Sequence, residues 1–107
     1  MTTGKIASQA GHAYLGAFLQ CKDSNILKAY HSDFPQSPGT KICLQVDLDQ
    51  LLHAEQLAQE AGLPFFRVVD SGCQNFFNGE PTITALGIGP ATKDQINHIT
   101  RRFKLMK

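Results

Sequence analysis

The chain has no apolar run approaching the roughly 20 residues needed to span a bilayer. No signal-peptide-like apolar region follows its opening residues, Met1-Thr2-Thr3-Gly4-Lys5. Cysteine is scarce. Cys21, Cys43 and Cys73 are odd in number and widely spaced, with no CxxC pair, so a zinc-ribbon pattern is excluded. A reducing, cytoplasmic setting is the simplest reading. His31, His53 and His98 show no metal-ligand spacing. Neither G-x-x-x-x-G-K-S/T nor G-x-G-x-x-G occurs, so the common phosphate-binding loops are absent. Gly87-Ile88-Gly89-Pro90 precedes a helix but lacks a third glycine. No nucleophile elbow surrounds Ser8, which argues against a serine hydrolase. The formal net charge is only +1, so a polyanionic partner would have to meet local patches rather than an overall field.

What is present fits one small globular domain, residues 1–107, with 42% hydrophobic residues. Charge is distributed unevenly. Residues 47–60 hold four acids and no Lys or Arg, whereas residues 93–107 hold five bases and one acid. Solvated helix faces would account for both runs.

Local signals divide the chain into elements. Thr2 or Thr3 can cap a first helix running to about Lys22, and Asp23 or Ser24 a shorter one ending near Asp33. Phe34 to Thr40, with two prolines and a glycine, reads as a loop. Lys41 to Asp47 alternates as a strand does. Asp47 and Gln50 then fit a capping box opening a helix, which Gly62 and Pro64 stop. Phe65 to Val69 reads as a strand with Asp70 at its end. Ser71 to Pro81 reads as a mobile loop, Thr82 to Ile88 as a strand, and Thr92 or Ala91 as the start of a last helix. Lys104 to Lys107 reads as a short tail. The order is helix-helix-strand-helix-strand-strand-helix. The central strand–helix–strand predicts a parallel pair with a right-handed crossover, and the loop after Asp70 predicts an antiparallel return. The expected fold class is therefore α/β: a three-layer α/β/α arrangement around a small, mixed, mostly parallel sheet.

The first helix carries the densest pattern. Lys5, Gln9, His12 and Gly16 recur at i, i+4, i+7 and i+11 and share a face. Ile6, Ala10, Ala13 and Ala17 form a neighbouring small-residue face suited to close packing. Lys5 sits near a helix start, where the dipole disfavours a cation. It is either solvated or held by a carboxylate or an anionic ligand. A helical histidine such as His12 serves as a base, a ligand or a structural group. Asp70, at the carboxyl end of a strand, either lines a ligand crevice or caps its own turn.

Three blocks in order resemble the type 2 peptidyl-tRNA hydrolases, a class found mainly in archaea and eukaryotes. Met1-Thr-Thr-Gly-Lys5-Ile-Ala7-Ser-Gln9-Ala-Gly-His12-Ala13 is similar to the family's M-x-x-G-K-x-A-x-Q-x-x-H-A. Glu60-Ala-Gly-Leu-Pro64 with Val69-Asp70-Ser71-Gly72 is similar to E-A-G-L-P followed by D-A-G-x-T. Thr84-Ala-Leu86-Gly-Ile88-Gly89-Pro90-Ala91 is similar to T-V-L-x-I-G-P-A. The resemblance implies hydrolysis of the ester joining a peptide to the acceptor end of tRNA, which recycles tRNA, with no metal and no cofactor required. By position it implies Lys5, Asp70 and Thr84 as catalytic residues, with Gln9 and His12 lining the same cleft. The pattern's last threonine falls on Gln74, which with Arg67 is a candidate for substrate binding. Family members carry a strand ahead of the first block, so a strand is expected to be missing before Met1. An open sheet edge there would favour a homodimer. The alternative reading is a non-catalytic RNA- or protein-binding module of the same fold, for which Arg67, Arg101, Arg102 and Lys104 would matter more.

Overall fold

The structure, a computed structural model, describes residues 1–70 and 81–107. Helix α1 spans Thr3–Gln20 and α2 spans Ser24–Tyr30. Strand β1 is only Leu44–Gln45, followed by α3, Leu48–Glu60. Strands β2, Phe65–Asp70, and β3, Thr82–Ile88, precede α4, Lys93–Thr100, and β4, Lys104–Leu105. The expected loop from Ser71 to Pro81 lies, except for Pro81, outside the described residues.

The caps form as their side chains require. The Thr2 hydroxyl accepts the Lys5 amide at 3.2 Å, and Asp23 accepts the amides of Asn25 and Ile26. Asp47 with Gln50, and Thr92 with Gln95, close full capping boxes that satisfy otherwise orphaned amides. Gly62 leaves α3 at φ +71°, a left-handed conformation that glycine adopts without a Cβ clash.

The expected mostly parallel sheet is corrected. Among the described residues both strand pairs are antiparallel and belong to separate two-stranded sheets, β2 with β3 and β1 with β4. A strand–helix–strand order gives a parallel pair only when both strands join one sheet. Here β1 satisfies its backbone groups elsewhere. The tail after α4 returns to it, pairing Leu44 with Leu105, and the Met106 amide donates to the Cys43 carbonyl at 3.0 Å. The first two residues of the expected tail, Lys104–Leu105, are therefore a strand. The antiparallel pairing of β2 with β3 is as expected.

Helix α1 packs on β2 and β3, and α3 packs on β2, β3 and α4. The core on the α3–α4 side is centred on Ala54, Ala58, Leu63 and Ile99, with Leu86 and Ile88 of β3 packed against it. Gly87, between those two, meets α1. A Cβ built there would lie 2.1 Å from the Ala13 carbonyl oxygen and 3.1 Å from the Ala17 Cβ. Ala13 and Ala17 are buried. The small-residue face of α1 thus permits backbone-to-backbone contact that any larger residue at 87 would block.

The β2–β3 ladder holds one irregularity. Residues pair from Phe65 with Ile88 to Val68 with Ala85, but Val69 then pairs with Ile83 and Asp70 with Thr82. Thr84 is the extra residue of a β-bulge. In a regular strand Thr84 would share the face of Leu86 and Ile88 and point towards α3. The bulge instead lets its hydroxyl reach α1.

Candidate functional site

The site is built where the start of α1 meets the end of β2. Asp70 is 8% exposed, and its carboxylate forms an ion pair with the Lys5 ammonium. Two physical effects favour this. A buried carboxylate needs a compensating charge, and the N-terminal end of α1 favours a negative group beside it. The lysine that the helix dipole alone would disfavour is explained by its partner.

One turn along α1, Gln9 is buried and its Oε1 accepts the Thr84 hydroxyl at 2.8 Å. The Thr84 hydroxyl also lies 3.4 Å from the Val68 carbonyl oxygen. A hydroxyl has one proton to donate, and the shorter contact assigns it to Gln9. Thr84 therefore fixes the amide of Gln9 from below. His12 is exposed and lines the same cleft, an open groove of about 780 Å³ that also contains Lys5, Gln9 and Asp70. The helical stripe of Lys5, Gln9, His12 and Gly16 read from spacing is thus one wall of a single cleft.

Arg67 stands apart. Its guanidinium makes a two-pronged contact with Glu55 of α3, with Nε 2.8 Å from Oε1. Those hydrogen bonds raise its pKa further and keep it charged. Arg67 lines a second groove, of about 810 Å³, that contains neither Lys5 nor Asp70. Gln74 lies outside the described residues. Elsewhere on α1, Tyr14 has its phenol pKa raised, first by burial and then by the neighbouring Cys43 and Tyr30.

Sequence reasoning did not single out three features: Glu55 as the partner of Arg67, the bulge at Thr84, and an apolar continuation of the cleft. For the last, the signal was present, since Leu15 and Leu19 extend the stripe at i+3 and i+7 from His12.

Chemically, a carboxylate held beside an ammonium can orient and deprotonate water while the cation stabilises developing negative charge. Such an arrangement suits a hydrolase in which water is the nucleophile. Sequence comparison gives that class a family. The profile described as peptidyl-tRNA hydrolase PTH2 matches residues 1–106, and the chain belongs to this family. Among its relatives, the peptidyl-tRNA hydrolase of Methanopyrus kandleri is 36% identical over 108 residues, covering 100% of this chain and 89% of the relative. The peptidyl-tRNA hydrolase of Methanothermobacter thermautotrophicus is 36% identical, covering 99% and 89%. That of Saccharolobus solfataricus is 34% identical, with the same two shares.

Proposed function

We propose that this chain, acting as one domain, hydrolyses the ester that joins a peptide to the acceptor end of tRNA, releasing peptide and free tRNA. The observation that carries the reading is the Lys5–Asp70 pair in an open cleft of a chain belonging to this family. Asp70 takes a proton from water as the water attacks the ester carbonyl carbon, and gives that proton to the ribose oxygen as the bond between it and the acyl carbon breaks. Lys5 keeps Asp70 ionised and stabilises the charge that builds on the carbonyl oxygen. The Gln9 amide, steadied by Thr84, offers a hydrogen bond to the same oxygen or to the ribose. His12 lines the cleft beyond Gln9 and contacts the substrate next to the ester, and Gln74 and Arg67 add contacts to the tRNA. The ammonium of Lys5 does the electrostatic work that a Lewis acid would do, so the reaction runs without a metal and turnover is unchanged by a chelator.

A cytoplasmic location follows from a substrate generated in translation. Among the described residues no helix is long and apolar enough to cross a membrane. Among the described residues each two-stranded sheet keeps its outer edges unpaired, which supports a homodimer as the expected assembly, read by sedimentation.

The experiment is release of labelled peptide from a purified peptidyl-tRNA by wild type, Lys5→Ala and Asp70→Asn. Wild type should turn over, and each variant should lose about 10²-fold or more in kcat/KM. Wild-type-like turnover in both variants would remove Lys5 and Asp70 from the mechanism, and an inert wild type would remove the activity.

A further inference from the structure

The cleft does not end at His12. Beyond it the groove continues between α1 and β2, with Leu15 and Leu19 on one side and Phe66, Val68 and Val69 on the other, and Gln20 at the far end of α1. We propose that this apolar arm receives the peptide part of the substrate and makes the enzyme favour peptides with apolar side chains near the ester. The inference rests on the hydrolase reading given above.

A substrate with its ester beside Lys5 and Asp70 sends two chains away from that point, one of nucleotides and one of amino acids. The nucleotide chain carries phosphates, which require cations. Among the described residues Lys5 is the only Lys or Arg lining the groove, and it sits at the ester end. The arm beyond it is therefore poorly matched to phosphate and well matched to an apolar acyl chain. Leu15 and Leu19 are 59% and 70% exposed, so they contribute little to the core. Both line the groove that contains the candidate site, which gives their exposure a use.

The arm also has a defined floor. A Cβ at Gly16 would fall 2.2 Å from the Phe66 ring, so the ring lies directly on the helix backbone. That contact holds one wall against the other. From Asp70 to Phe66 is four residues along β2, or about 13 Å at roughly 3.3 Å per residue. An extended peptide of about four residues spans that distance. Preference should therefore depend on the residues next to the ester and fade beyond the fourth.

The test compares N-acetylated tripeptides of leucine and of aspartate esterified to one and the same tRNA. Wild type should prefer the leucine substrate by about tenfold or more in kcat/KM, chiefly through KM. Leu15→Asp and Leu19→Asp should each shrink the ratio, and together bring it near one. Leu48→Asp, at an exposed leucine lining neither groove, should keep it. A wild-type ratio near one, or a ratio unaffected by the Leu15 and Leu19 changes, overturns the inference and leaves the hydrolase reading standing. An unchanged ratio combined with loss of a dimer on Leu19→Asp would assign the apolar arm to a second copy of the chain, which also overturns it. No release from either substrate by wild type would refute the hydrolase reading itself, and the inference with it.

Discussion

Removing Lys5 or Asp70 tests stability and chemistry at one contact. The pair lies between two regimes. Exposed ion pairs contribute about 0.2–1 kcal/mol, whereas breaking a fully buried one costs about 3–5 kcal/mol. The Asp70 side chain is 7% exposed and that of Lys5 19%, so water screens the ammonium partly and the carboxylate hardly at all. Lys5→Ala, which takes the cation from beside a buried anion, should therefore cost about 2 kcal/mol, between those limits. At about 4–8 °C per kcal/mol for a domain of this size, the melting midpoint should fall by about 10 °C. Asp70→Asn keeps the shape and leaves a lysine whose long stem can carry its charge to water, so about 1 kcal/mol is expected. If the two act as one unit, the double variant will be less destabilised than the sum of the singles, by about 1 kcal/mol or more. Its activity should be no worse than about that of the worse single variant. Chemical denaturation and single-turnover peptide release measure both quantities on the same four proteins. Strict additivity in both would refute the idea that stability and catalysis share this contact.

Three further outcomes follow from the geometry. Thr84→Val removes the hydroxyl donated to buried Gln9 and should cost about 1–3 kcal/mol with a clear loss in kcat, while Thr84→Ser restores most of both; equal behaviour of the two variants would mean that the hydroxyl is idle. Gly87→Ala forces a methyl against the Ala13 carbonyl oxygen and should destabilise by about 3 kcal/mol, at the upper end for overpacking; a wild-type melting curve would refute the close approach. Tyr14 should titrate above the ordinary phenol value because burial, then Cys43 and Tyr30, raise its pKa. The unfolded chain then loses this proton first, so the contribution is whole below about pH 10 and is lost as pH rises through the raised value. Unfolding free energy should accordingly fall more steeply above about pH 10 in wild type than in Tyr14→Phe, and matching slopes would refute the assignment.

Short-range signals made much of this molecule legible. Caps at Thr2, Asp23, Asp47 and Thr92, and the stop at Gly62, depend on residues within a turn of one another, and all five form. The α1 stripe was readable for the same reason: helical spacing fixes which residues share a face, and that face lines the cleft. Which strand β1 would join was not readable, because its partner lies about sixty residues away and only two residues pair. The meeting of Lys5 with Asp70 is likewise non-local; periodicity left each with ordinary alternatives, and resemblance alone joined them. The bulge escaped because nothing in Thr82 to Ile88 interrupts the strand signal; it arises from fitting β3 to the core at one end and to Asp70 at the other.

That extra residue has a consequence for how the protein can vary. The end of β3 near Ile88 is pinned by Leu86, Gly87 and Ile88, while the end near Thr82 answers to Asp70. The strand therefore carries two phases of side-chain alternation, joined at Thr84. Deleting Thr84 would make the ladder regular, with Ile83 still opposite Val69 and Thr82 still opposite Asp70, a gain in strand order at the cost of the Gln9 contact. The bulge also separates the spacing of the connection between β2 and β3 from the spacing of the core. Changes of length beside the site can be taken up on the Thr82 side, without sliding Gly87 off α1. The residue that interrupts the sheet is thus what lets Gly87 stay on α1 while Thr82 stays opposite Asp70.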